Sequence, residues 1–329
     1  MAYQDLPAIT TDLILDELPD GLSRANPLLN YFMSEEGSRF KDGGLTLQAS
    51  IKLHANQSSG FIGGSGDILP TSPSQQYENM NFNWKYYVVT ANQTLDDYTR
   101  AQGPNSPFNY LKESVEGALA DSYRELSEAV YASSEDNSYA FEGLADITAE
   151  SGVSYGGLND TDFADGTFLP YESDSNTLNY ATMSKIMAIL RGRMQKERGF
   201  ARNSYIGVIN PAGFAVLQQL VQNQQRFYDQ GESVDMGWEH VYVNTVKFFL
   251  DADCPGTGDA AEADNHMYIL PKGALKLYFK YGIGKGNKSP LDGEQRLPKQ
   301  TINSIQTFIA GNMIATNRRL IGFSKSLIV

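Results

Sequence analysis

The chain has one cysteine, Cys254, among its 329 residues. A single cysteine excludes an intrachain disulfide framework, so the fold must be held by packing alone. The sequence also lacks an apolar run of the roughly 18 residues that a bilayer-spanning helix needs. Its first residues, MAYQDLPAITTDLILDEL, have neither the basic nor the apolar region of a secretory signal. We therefore expect a soluble protein that is made in the cytoplasm and has no membrane partner.

Positive charge is scarce. Lys and Arg together number 26 against 39 Asp and Glu, which gives a net charge of -13. Affinity for nucleic acid comes largely from counterions released where Lys and Arg meet phosphates. Tight nucleic-acid binding is therefore not expected, and any contact with DNA would be by confinement or through a local basic patch.

None of the usual catalytic or metal-binding motifs occurs in the sequence context that its chemistry requires. His54, His240 and His266 lie far apart, and HExxH and CxxC do not occur, so a zinc site is not expected. GxSxG is absent. The loop GIGKG at 282–286 has the wrong glycine spacing for a phosphate-binding loop and a glycine where that loop needs Ser or Thr. We expect no enzymatic activity, no cofactor and no metal.

An acidic loop leaves one alternative open. Asp160, Asp162 and Asp165 precede Gly166 and resemble a calcium loop, but the glycine and the distal Glu fall at the wrong offsets. A solvated acidic turn is the default interpretation. A bound cation is the alternative, and with it a soluble α/β enzyme.

The strongest pattern in the sequence is a long amphipathic helix at 106–133, about 40 Å long at 1.5 Å per residue. Ser106 can cap its N-terminus, and Pro107 suits the first helical position. Gly117 lies in the middle of the helix, where glycine lowers helix stability relative to alanine. We therefore predict a bend or a close backbone approach there. The apolar stripe recurs at three- and four-residue spacing and consists of Leu111, Val115, Ala118, Leu119, Ser122, Leu126, Ala129 and Val130.

In two segments, at 45–54 and at 80–89, apolar side chains recur at every second residue. They predict a two-stranded β-ribbon with a Gly-rich tip at about 55–78. A ribbon with an apolar face is marginal in water and prone to aggregation unless another surface covers it. We expect a neighbouring subunit to provide that cover. The predicted contact residues, or residues that support the contact, are Leu47, Ile51, Phe82, Trp84 and Tyr86.

A local basic cluster interrupts the acidic balance near the end of a second predicted helix, at 177–198. It is either the ordinary cationic end of a helix, favourable to the helix dipole, or an intersubunit patch that meets acidic neighbours. The residues of this possible patch are Arg191, Arg193, Lys196, Arg198 and Arg202, with Arg318 and Arg319 added from the C-terminal segment.

The remaining segments predict an N-terminal arm and, later in the chain, further strands and a helix. Residues 1–40 contain short apolar clusters broken by prolines and predict an arm that lies on another surface. A strand at 204–210 and a helix at 212–225 come next. Strand patterns follow at 239–250, 266–270 and 274–281, and the end of the chain is β-rich.

This order of elements resembles the major capsid protein of tailed bacteriophages, a fold shared with encapsulin shells. Two segments carry the resemblance: ARNSYIGVINPAGFAVLQQL at 201–220 is similar to the helix–strand–Asn-Pro–helix passage of such capsids, and GNMIATNRRLIGFSKSLIV at 311–329 to their terminal segment.

The resemblance implies an α+β phage major-capsid fold. Its parts are an N-terminal arm (1–40), an extended loop (41–95), a peripheral domain with a long spine helix (96–149 and 266–317) and an α/β axial domain (150–265 and 318–329).

It also implies a function and partners. The chain would self-assemble into pentamers and hexamers of an icosahedral phage head that encloses double-stranded DNA, in a virion. We expect a separate scaffolding protein or none, because the arm begins almost at once, and a portal; a decoration protein is left open. The alternative within the same fold is an encapsulin-type compartment that holds protein cargo.

Overall fold

A computed structural model describes most of the chain from Asn26 onward. The residues it describes are 26–34, 37–41, 44–52, 58, 60–63, 68, 71, 76–94, 107–135, 137–149, 151–159, 168–173, 177–196, 205–222, 240–243, 246–256, 265–282, 285–286, 293–296 and 302–327. Most of the predicted arm, the acidic loop at Asp160 to Asp165, and Arg198 and Arg202 lie outside these residues.

The described residues form five α-helices, one 3₁₀ turn (Arg318–Leu320) and fourteen strands in three sheets. The helices are α1 (Pro27–Met33), α2 (Pro107–Tyr131), α3 (Leu144–Ile147), α4 (Tyr180–Lys196) and α5 (Pro211–Gln222). The strands are β1 (Ser38–Phe40), β2 (Thr46–Lys52), β3 (Tyr77–Asn83), β4 (Lys85–Thr94), β5 (Tyr171–Glu172), β6 (Tyr205–Ile209), β7 (His240–Val243), β8 (Val246–Leu250), β9 (Asn265–Pro271), β10 (Leu275–Gly282), β11 (Lys285–Gly286), β12 (Gly293–Arg296), β13 (Ile302–Ala315) and β14 (Gly322–Leu327).

The first sheet is built on the 14-residue strand β13. Its order is β1-β10-β13-β12, and β4 pairs with the other edge of β13 over ten residue pairs. All these pairings are antiparallel except that of β1 with β10. Side chains alternate across β4: Tyr86 and Val88 are exposed, whereas Val89 is buried.

The long helix is confirmed as α2, which covers one face of this sheet. Leu126 and Val130 of the predicted stripe are buried, and Tyr87 of β4 donates a hydrogen bond from its hydroxyl to Glu125 (2.8 Å). The predicted close backbone approach at Gly117 is wrong. Among the residues that the structure describes, no atom of a neighbouring element lies within 4 Å of the place where a Cβ would stand.

The predicted ribbon exists, but its second strand is shorter than expected. The segment at 80–89 is not one strand: it divides at Trp84, where β3 ends and β4 begins. β3 pairs with β2, from Thr46 opposite Asn83 to Lys52 opposite Tyr77, whereas β4 joins the first sheet. Periodicity alone could not locate this division, because the alternation continues through both strands.

The cover for the apolar face of the ribbon comes from the chain itself, contrary to the expectation of a neighbouring subunit. Phe82 is buried and makes an edge-on contact with the Tyr155 ring, at a centroid distance of 5.1 Å. The Asn81 amide donates to the carbonyl oxygen of Gly156 (2.9 Å). A Cβ on Gly156, whose φ is +61°, would stand 2.8 Å from the Cβ of Met80. The turn around Gly156 therefore packs tightly on the ribbon, and its approach depends on glycine.

The second sheet has the order β5-β14-β9-β6-β8-β7. The strand predicted at 204–210 is confirmed as β6, and the helix predicted at 212–225 is confirmed as α5. The segment at 239–250 forms two antiparallel strands, β7 and β8, rather than one. The strand predicted at 266–270 is β9, which pairs with β6 and β14.

Two apolar cores share the second sheet, since β6 is buried along its whole length. On one face, Tyr268 and Val208 join the core around α2, the ribbon and the first sheet. On the other face, Met267 and Ile209 pack with helices α4 and α5. Two short connections join the sheets directly, at 272–274 between β9 and β10 and at 316–321 between β13 and β14.

Candidate assembly interface

The five predicted ribbon contact residues occupy two different environments. Tyr86 is 58% exposed, on the face of β4 that points away from α2. Trp84 is almost buried and donates its indole N–H to the carbonyl oxygen of Gly44 (3.1 Å). Leu47, Ile51 and Phe82 are buried in the core of the chain. Tyr86 can therefore touch another molecule directly, and the other four can support such a contact only from within the fold. Their role in assembly stays a prediction.

Tyr86 belongs to an apolar patch that the sequence did not single out. Its ring stacks on Phe308 of β13, with the centroids 5.4 Å apart and the planes 24° from parallel. Val88, which pairs with Phe308 in the sheet, is 45% exposed. We call Tyr86, Val88 and Phe308 the outer-face patch. The alternation of β4 could have indicated two of its members, but the pairing with Phe308 spans more than 200 residues of sequence.

The described members of the predicted basic patch lie in different environments. Arg191 is partly exposed, and the side chain of Lys196 lies outside the described residues. Arg193 is half-buried and donates from Nη1 to the carbonyl oxygens of Leu169 (3.2 Å) and Arg319 (2.9 Å). Burial, followed by the nearby charge of Arg319, lowers the pKa of Arg193. Its guanidinium therefore holds the backbone between β13 and β14 in place.

Arg318 does not lie on the surface, as a patch residue would. It is fully buried, at the crossing from the first sheet to the second. Its Nε donates to the carbonyl oxygen of Ile147 (2.7 Å) and its Nη2 to that of Ala149 (3.0 Å). The guanidinium lies over the rings of Tyr155 (4.9 Å to the centroid) and Phe168 (5.2 Å). Two carbonyl oxygens and two aromatic faces thus replace water around the charge.

The contacts of Tyr155 extend from Arg318 to the ribbon. The Tyr155 hydroxyl accepts a hydrogen bond from the amide of Ala315 (2.9 Å), at the end of β13. Desolvation by burial, partly offset by this hydrogen bond, raises the pKa of Tyr155. Because the same ring contacts Phe82 and Arg318, the sheet crossing and the ribbon are connected through one side chain.

A buried polar cluster joins three parts of the fold. The Asn26 side chain accepts hydrogen bonds from the first amides of α1 through its oxygen. Its nitrogen donates to Ser127 of α2 and to the carboxylates of Asp251 and Asp253 (2.8 Å each). Tyr131 donates its hydroxyl to Asp251 (2.7 Å). Burial is the main cause that raises the pKa of Asp251. The cluster fixes α1 between the long helix and the end of β8.

A second carboxyl group is perturbed at the edge of the first sheet. Desolvation and then the charge of Asp146 raise the pKa of Glu142 to about 7, against the opposing effects of Lys85 and Asn312. The buried Asn312 accepts from the Glu142 amide (3.0 Å) and donates to the carbonyl oxygen of Asn83 (3.0 Å). Asn312 therefore connects β13, the segment before α3 and the base of the ribbon.

An apolar cavity of about 50 Å³ lies between α1, α2 and the first sheet. Leu29 and Phe32 line it from α1, Leu126 from α2, and Phe279 and Met313 from the sheet. Its walls are almost entirely apolar, so they offer no set of polar groups for catalysis.

Within the described part of the chain, no three His, Cys, Asp or Glu residues are grouped so that they could hold a metal ion. The acidic loop of the enzyme alternative lies outside that part. None of the described helices is both long enough and apolar enough to cross a membrane.

The fold is that of viral capsid and encapsulin shell proteins. The chain is similar to the capsid protein of cyanophage A-1(L), with a TM-score of 0.61 and 13% identity over 92% of this chain and 93% of that one. It is also similar to the capsid of a native GTA particle (TM-score 0.56, 10% identity, 93% and 90% covered). The holo-SrpI encapsulin complex of Synechococcus elongatus PCC 7942 matches with a TM-score of 0.53 and 8% identity, over 88% and 85% of the two chains.

No model of a known protein family matches the sequence. No curated protein matches it either. The similarity is therefore one of fold, and it extends over nearly the whole of each chain. The predicted α+β fold of phage major capsid proteins is confirmed.

Proposed function

We propose that this chain is a major capsid protein whose copies form the pentamers and hexamers of an icosahedral phage head. The observation that carries the proposal is the agreement with the cyanophage A-1(L) capsid protein over more than nine-tenths of both chains. Such a shell would be held by many modest contacts between copies, which multiply through closed symmetry.

The proposed domains follow the two sheets. The peripheral domain contains α2 and the first sheet, and the axial domain contains the second sheet with α4 and α5. In this proposal the boundary after the axial strands falls after Pro271 rather than at residue 266, because β9 pairs with β6 and β14. The ribbon forms the extended loop, and residues 1–40 include the arm.

The proposed contents are double-stranded DNA. A net charge of -13 suits a wall that encloses DNA without binding it tightly. The partners would be other copies of the chain, a separate scaffolding protein and a portal. The protein would be made in the host cytoplasm and end in the virion.

An encapsulin-type compartment is the second candidate, favoured by the similarity to the holo-SrpI complex. The content of purified particles distinguishes the two candidates. The full chain is expressed in a host cell, and the particles are then purified and their content is analysed. We expect a DNA fraction that resists nuclease until the particles are opened by denaturant. Particles that hold a co-purifying protein and no protected DNA would favour the compartment.

A further inference from the structure

The cavity between α1, α2 and the first sheet is lined by one polar side chain, that of Ser38. The Ser38 hydroxyl donates to the carbonyl oxygen of Ser34 (2.6 Å), so its proton is already used. The other side chains in the wall are those of Leu, Ile, Val, Phe and Met residues. A buried water molecule needs two to four polar partners, and this wall does not supply them. The cavity therefore favours an apolar guest over water.

The volume of the cavity sets the size of that guest. Its volume of about 50 Å³ exceeds the roughly 30 Å³ that one water molecule occupies in the liquid. It is about a third of the ~150 Å³ of an engineered apolar cavity that binds benzene or xenon. Met33 and Met313 line the cavity, and the flexible Met side chain adapts to irregular space. A single apolar atom, or an uncharged molecule of a few carbon atoms, suits this cavity better than an aromatic ring does.

The wall of the cavity is shared between α1 and the body of the fold. Leu29 lines it from α1, Leu126 from α2 and Met313 from β13. A guest touches all three elements at once only while α1 lies against α2 and the first sheet. It therefore binds this docked arrangement more tightly than any other, and its binding must stabilise the docked arrangement by the same free energy.

We propose that the cavity is a binding site for a small uncharged apolar molecule, and that the bound molecule holds α1 against α2 and the first sheet. The site goes beyond the proposed shell function and does not depend on it. Residues 1–25 join the described fold through α1. Occupancy of the cavity would thus fix the point at which the predicted arm begins.

Xenon is a suitable probe, because it is apolar and monatomic. The full chain is labelled with ¹³C at its methionine methyl groups, and methyl NMR spectra are recorded at rising xenon pressure. Met33 and Met313 line the cavity, whereas Met183 and Met187 lie in the core beside α4. We expect saturable shifts of the Met33 and Met313 signals and unchanged signals from the other two. Unshifted Met33 and Met313 signals, or equal shifts of all four, would overturn the proposal.

A matched pair of variants tests whether xenon occupies this cavity. Val130→Ile adds one methylene group to the cavity wall, and Val243→Ile makes the same change in the other core. Val130→Ile should reduce the xenon-induced shift of the Met313 signal, and Val243→Ile should leave it as in the native chain. An undiminished shift in Val130→Ile would place xenon elsewhere and contradict the proposal.

Hydrogen exchange tests the effect on α1. The amides of Leu28 and Leu29 donate to the Asn26 side chain at the start of this helix. Xenon should slow their exchange in the native chain, and should slow it less in Val130→Ile. Methyl shifts without slower exchange would refute the claim that the guest holds α1. Neither measurement depends on whether copies of the chain form a shell, so the failure of this proposal and that of the shell function are distinguishable.

Discussion

A single guanidinium, that of Arg318, holds together the place where the chain passes from one sheet to the other. It donates to the carbonyl oxygens of Ile147 and Ala149 and lies over two aromatic rings, those of Tyr155 and Phe168. A buried cation of this kind stabilises the fold only as long as its partners remain, because burying the charge is costly in itself.

Replacing Arg318 with Met should therefore destabilise the subunit severely. The variant leaves two buried carbonyl oxygens without their donors, at about 1–3 kcal/mol each. Urea unfolding of the isolated subunit measures the loss. The matched control is Arg124→Met on the exposed side of α2, which removes only an exposed pair with Glu128 and should cost less than about 0.5 kcal/mol. Equal losses in the two variants would contradict the role of Arg318.

Gly117 lies in open space on α2, so its replacement should be favourable. Gly117→Ala is expected to raise the free energy of unfolding by up to about 1 kcal/mol, because Ala is the better helix former. The control is Gly143→Ala, whose added Cβ would stand 2.1 Å from the carbonyl oxygen of Ala132 and should be strongly destabilising. A neutral or unfavourable Gly117→Ala would show that the helix needs glycine there.

Glu142 should make stability depend on pH near neutrality. Its pKa in the folded chain, about 7, lies above its ordinary value, because burial and Asp146 disfavour the carboxylate. A raised pKa means that the folded state binds the proton more tightly than the unfolded state does. The resulting stability is fully present below the ordinary pKa and is lost as the pH rises through about 7.

The variant Glu142→Gln removes this titration. Urea midpoints measured from pH 5 to pH 8 should fall more steeply for the native chain than for the variant. Parallel curves would mean that Glu142 titrates normally.

The ribbon is the element whose role changes most between sequence and structure. Its apolar side chains pack inside the chain, on Tyr155 and the Gly156 turn. Phe82→Ala should therefore cost about 3–5 kcal/mol of subunit stability, the usual range for a buried Phe. Tyr77→Ala, at an exposed position of the same strand, should leave the urea midpoint nearly unchanged. If Phe82→Ala instead folds normally and fails only in assembly, a neighbouring subunit covers the ribbon.

Local patterns predicted the elements better than their contacts. Helix α2, strand β2 and the β6–α5 unit follow from periodicity and capping within short segments. The division at Trp84 and the burial of Arg318 depend on residues far away in sequence, namely Gly44, Ile147 and Tyr155. From sequence alone, an arginine in a run such as NRRL is interpreted as a surface cation. Its burial can be predicted only when the carbonyl oxygens that accept its hydrogen bonds are known.

At the scale of the whole molecule, the proposed function makes the chain one subunit of a larger assembly. Two sheets, a long helix and a two-stranded ribbon form a fold shared with capsid and shell proteins over nearly all of the chain. A subunit of this kind has exposed apolar residues at separate places, here Phe61 in the segment between β2 and β3 and Tyr86 of the outer-face patch. Such surfaces are a liability in a monomer and an advantage in a closed assembly.

The central claim is that copies of this chain assemble into a shell. Sedimentation velocity of the purified full chain over a wide concentration range, with electron microscopy of the same samples, tests it most directly. We predict rings or closed shells whose proportion rises with concentration. A chain that stays a compact monomer at every concentration, with no rings or shells in the images, would contradict the account.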